Sequence, residues 1–171
     1  MDINKLPQRQ SDGTELIISI LVRFPEVGTV SYMPEHNLFK YSFIIARPVA
    51  EEEGRRVREI LHDSIDTYNA IEGRKIEHCK INIKRMDDVS VLELERDLSS
   101  LTREEISLTV SMVHDFFQDY LVKEENDFFL EEELAIQEEL IEHMLENIKA
   151  GHQEKNIIAF REEGRVLVFN K

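Results

Sequence analysis

Two His-Asp dipeptides, His62-Asp63 and His114-Asp115, are the groups in this chain best equipped for metal-assisted chemistry. An imidazole beside a carboxylate can ligate a divalent cation that activates water, as metal-dependent hydrolases do. Such ligands must converge in a cleft. Spaced at about 100° per residue, His62 and Asp63 fall away from the apolar stripe of Val57, Leu61 and Tyr68, and Asp115 falls opposite its own stripe. Both dipeptides therefore read as surface. Glu139, His143 and Glu146 place carboxylate, imidazole and carboxylate on one helical face at i, i+4 and i+7. Di-metal bundles need Glu-x-x-His units on two helices, and this Glu-x-x-x-His stands alone. Gly-rich phosphate loops, Gly-x-Ser-x-Gly and His-Glu-x-x-His are absent. No catalytic residue, metal ligand or cofactor is assigned, and the reading leans away from an enzyme.

Charge gives the more usable signal. The formal net charge is −14, which opposes nonspecific binding to nucleic acid or anionic lipid. Residues 101–150 carry 3 basic and 14 acidic groups, so most of the excess sits on the expected helical pair of the second half. Glu132, Glu139, Glu142 and Glu146 are the candidate partner-binding residues of that acidic surface. Earlier in the chain Arg55, Arg56, Arg58, Lys80 and Lys84 are the candidate anion-binding residues, with Arg74, Lys75 and Arg85 beside them in sequence. A basic stripe of that kind fits phosphate, RNA or an acidic protein, including the acidic half of a second copy. Local glutamates such as Glu59, Glu72 and Glu77 offer a plainer account, a solvated mixed-charge face.

Cys79 is the sole cysteine, so an intrachain disulfide is excluded and a reducing, cytoplasmic setting is expected. It alternates with Ile81 and Ile83, which points it into a core as an inert thiol. No apolar run approaches the roughly 20 residues needed to span a bilayer.

The elements that must position these groups follow from periodicity. Residues 1–13 read as a flexible tail and 14–171 as a single α+β domain, with possible subdomains at 14–98 and 99–171. Leu16 to Phe24 is a continuous apolar run read as a strand, Thr29 to Met33 returns, and Leu38 to Ala46 alternates Phe39, Tyr41, Phe43 and Ile45 with polar residues. A helix spans about Ala50 to Glu72. A hairpin follows, with Cys79 to Met86, a turn at Asp87-Asp88, and Val89 to Leu98. Thr102-Arg103-Glu104-Glu105 is a capping box with Leu101 and Ile106 as its staple, so a second helix begins there. A third runs past Leu130 to a stop at Gly151, and the adjacent pairs Phe116-Phe117 and Phe128-Phe129 need more cover than one helix stripe provides. Asn156 to Phe169 closes as a hairpin around Glu162-Glu163-Gly164. The expected class is α+β: a mainly antiparallel sheet with one packed helix (βββαββ), then an antiparallel helical pair and a C-terminal β-hairpin. The expected function is a non-catalytic interaction or regulatory module working through its acidic helices, with a protein partner or a homodimer. A metal-dependent hydrolase and an RNA- or ribosome-associated factor are the alternatives.

Overall fold

Gly13, Leu16, Ile17, Ile20, Leu21 and Phe24 are all buried, a spacing of three and four residues that belongs to a helix. In a computed structural model of the chain, which describes residues 12–124, 131–149, 156–162 and 165–170, Asp12–Arg23 is accordingly helix α1. The strand expected at Leu16 to Phe24 is corrected to this helix. Residues 1–11, the stretch 125–130 with Phe128 and Phe129, Gly151 and the turn residues Glu163-Gly164 lie outside the described residues. A Cβ at Gly13 would run into the Tyr32 ring, so glycine lets α1 lie close against the sheet.

The strands are β1 (Val27–Met33), β2 (Leu38–Ile45), β3 (Cys79–Met86), β4 (Val89–Asp97), β5 (Ile157–Glu162) and β6 (Arg165–Asn170). They form one six-stranded sheet in the order β3-β4-β2-β1-β5-β6, with every neighbouring pair antiparallel. The α+β class, the antiparallel sheet and the C-terminal hairpin are as expected. β5 pairs with β1, so strands from both sides of residue 98 share one sheet. Register puts Ile81, Leu94, Tyr41, Val30 and Ala159 in one buried row across five strands. Alternation sends Lys40, Lys80, Lys84, Glu93 and Glu95 to the opposite face, with Ile158, Phe160, Leu167 and Phe169 at its other end. On that face Lys84 pairs with Glu93 at 3.3 Å, and the Phe160 and Phe169 rings stack with centroids 5.6 Å apart.

Helices α2 (Glu51–Ile71), α3 (Arg103–Phe117) and α4 (Glu131–Lys149) complete the described fold. Helices α1, α2 and α3 lie on the buried-row side: α1 reaches Tyr32 through Gly13, α2 reaches Ile83 through Gly54, and α3 reaches Arg96 through Glu105. The Thr102 hydroxyl accepts from the Glu105 N–H at 3.2 Å, and the staple residues Leu101 and Ile106 are buried. After α3 a 3-10 turn brings Leu121 to bridge Ile45 at the end of β2. The short connection led to an expected pairing of α3 with α4. Their contact is narrow, and α4 lies chiefly along α1, the element first read as a strand.

Candidate functional site

Helix α4 has two unlike sides. Ile141, Met144 and Leu145 are buried, while Ile136 is 56% and Leu140 is 37% exposed one turn apart. Near the buried side, Glu138 takes Arg23 at 2.5 Å and Arg103 at 3.4 Å, tying α4 to α1 and α3. Among the candidate partner-binding glutamates, Glu142 lies 3.5 Å from Arg103 and Glu146 lies 4.0 Å from Lys149. Glu139 is exposed, and no ion pair to it is found among the described residues. The side chain of Glu132 is outside the described residues. By helical position, Ile136, Glu139, Leu140, His143 and Glu146 share the outward arc, so two apolar side chains sit among carboxylates in water.

The candidate anion-binding residues divide. Arg55 is held by Glu52 and, at 3.5 Å, by Glu59. Arg56 is exposed near Glu53. Lys80 and Lys84 occupy the face of the sheet turned away from α2, so neither joins Arg58. Arg58 instead shares a cleft with Arg85 of β3.

His62 pairs with Asp66 at 3.1 Å, and His62, Asp63, Arg58, Glu59 and Ile81 line a shallow cleft of about 290 Å³. His114 and Asp115 are exposed on α3 and do not border that cleft. No set of three His, Cys, Asp or Glu side chains gathers around a common point among the described residues.

The strongest electrostatic feature was not singled out from the sequence. Arg96 is fully buried on β4 and donates to both Glu105 oxygens, at 2.6 and 2.7 Å, to Ser100 Oγ at 2.9 Å, and to Asp97. Asn69 donates to Glu105 Oε1 at 2.8 Å, joining α2 to the network. Burial opposes the charge on Arg96, and the bonds to Glu105 overcome it and hold the guanidinium protonated. Burial also opposes ionisation of Asp97, but bonds from Ser100, the His78 N–H, Ser99 and Arg96 hold its carboxyl down to about 2. Burial pushes the Tyr41 phenol up, with Glu105 adding to the shift, and pushes the half-buried Cys79 thiol up to about 11. The signal was present: Arg96 has the parity of Leu92 and Leu94, and Glu105 lies one helical turn before Thr109 on the buried stripe. This network fastens α3 and α2 to the sheet.

Fold and surface together define an α+β protein in which α1, α2 and α3 cover one face of an antiparallel sheet and α4 lies along α1. Comparison of the chain with protein-family models, curated proteins and solved structures finds no match.

Proposed function

We propose that this chain is a non-catalytic, cytoplasmic protein-interaction module that takes a basic amphipathic segment of a partner along the outer side of α4. The observation that carries the reading is the exposure of Ile136 and Leu140 one turn apart beside Glu139, His143 and Glu146. A partner helix laid along this stripe would bury the two apolar side chains and meet the carboxylates with Lys or Arg. The charges would steer the encounter and fix its orientation, while the apolar contact would slow dissociation.

A synthetic Leu/Lys amphipathic peptide of about five helical turns, titrated into the full chain and followed by fluorescence anisotropy, tests this reading. The expected result is saturable one-to-one binding. The double substitution Ile136→Ser with Leu140→Ser weakens it about tenfold or more, because roughly 1.5–3 kcal/mol is at stake for each side chain fully buried. Glu139→Lys weakens it as well, and Asp88→Asn in the distant β3–β4 turn leaves it unchanged. Affinity that follows net charge alone, indifferent to Ile136 and Leu140, would overturn the proposal.

A further inference from the structure

The arginines at 23, 47, 55, 74, 96, 103 and 161 each face a carboxylate within 4 Å, and Arg56, which has no such partner among the described residues, lies exposed outside any cleft described above. For Arg58 and Arg85, no such partner is found among the described residues. These two guanidinium groups, one on α2 and one on β3, line the same cleft of about 230 Å³. Its floor is buried Val49, buried Gly54 and the partly buried Ile83, and its one acidic lining residue, Glu51, is exposed.

Gly54 is the telling residue. Glycine is the poorest helix former short of proline, and this one lies within the first turns of a 21-residue helix. Packing does not require it. A Cβ there would lie 3.6 Å from Ile83 Cδ1 and 3.8 Å from both Val49 Cγ1 and Arg58 Nη1, all ordinary contacts. The space left by the missing methyl adjoins Arg58, between a guanidinium and an apolar floor.

We infer that this cleft binds the phosphate group of a small phosphomonoester, clamped by Arg58 and Arg85 and admitted by the gap at Gly54. Guanidinium groups match the geometry of phosphate oxygens and stay charged at any physiological pH. Val49 and Ile83 offer an apolar surface for the group esterified to the phosphate. The first turn of α2 borders the same cleft, and its N-cap, Ala50, supplies no capping side chain to its N–H groups. The site stands apart from α4 and does not depend on what α4 binds.

Calorimetric titration of the full chain with inorganic phosphate and with phenyl phosphate tests this inference. One-to-one binding is expected, weakened about tenfold or more by Arg58→Gln and by Arg85→Gln, since hydrogen bonds to charged groups are worth that much. Gly54→Ala separates ligand from scaffold: it should raise the melting temperature and weaken binding together, whereas a packing role would move stability alone. Arg56→Gln, outside the cleft, should bind like the parent chain. Tighter phenyl phosphate assigns the site to an ester, and equal affinities assign it to the free anion; either supports the phosphate clamp. Absence of saturable binding by both probes, or binding indifferent to Arg58→Gln and Arg85→Gln, would overturn it.

Discussion

Arg96 is among the largest fully buried side chains in the molecule, and its charge is tolerated because Glu105 and Asp97 lie against it. A buried pair of this kind is costly to break and cheap to replace. Glu105→Ala should therefore lower unfolding stability by about 3–5 kcal/mol in denaturant titrations, because it strands the guanidinium. The double variant Arg96→Met with Glu105→Leu should recover most of that loss. If the double variant were as unstable as the single one, the pair would be more than a fastening. Asp97 adds a pH dependence: its carboxyl is ionised in the fold down to about 2, against 3.8 for the free group. Its contribution, on the order of 2 kcal/mol, is complete above the unfolded value and is lost as pH falls through about 4 toward 2. Asp97→Asn should flatten stability in that acid window. Residues of this network were legible in parity but not in meaning, because sequence shows which way a side chain points and not what it meets. The cleft arginines illustrate the same limit: Arg58 and Arg85 are 27 positions apart, and the α2–β3 packing that joins them is tertiary.

At the scale of elements, alternation marked β2, β3, β4 and the last hairpin, helical spacing of Val57, Leu61 and Tyr68 marked α2, and the capping box marked the start of α3. The run at 16–24 misled because Ile18 and Val22 fill the less buried side of α1 with apolar, β-branched residues, hiding a period of 3.6 behind a strand-like composition. That single substitution of helix for strand also removed α4's chief partner from view. The capping box at Thr102 was half right. The hydroxyl caps α3, while the Glu105 carboxylate turns inward to Arg96 and Asn69. Thr102→Ala should cost on the order of 1 kcal/mol in thermal or chemical unfolding, through the lost cap. Unchanged stability would mean that the bond at 3.2 Å contributes nothing.

For the whole molecule, charge segregation is the property most directly readable from sequence: residues 101–150 supply −11 of the net −14. Folding refines that number. Glu138 and Glu142 face arginines, and Glu105 is spent in the core, which leaves Glu139 and Glu146, among the described side chains of α4, as the outward carboxylates beside Ile136 and Leu140. A basic partner should therefore associate more slowly as salt shortens the screening length from about 10 Å at 0.1 M to about 3 Å at 1 M. Its dissociation rate should change less, because the apolar contact is not screened. The most direct measurement is a map of backbone amide shifts in the full chain as the Leu/Lys peptide is added. Saturable shifts centred on Ile136, Glu139, Leu140 and His143 of α4 are expected, with the β3 edge and the β3–β4 turn unmoved. Shifts centred elsewhere, or none at saturating peptide, would contradict it.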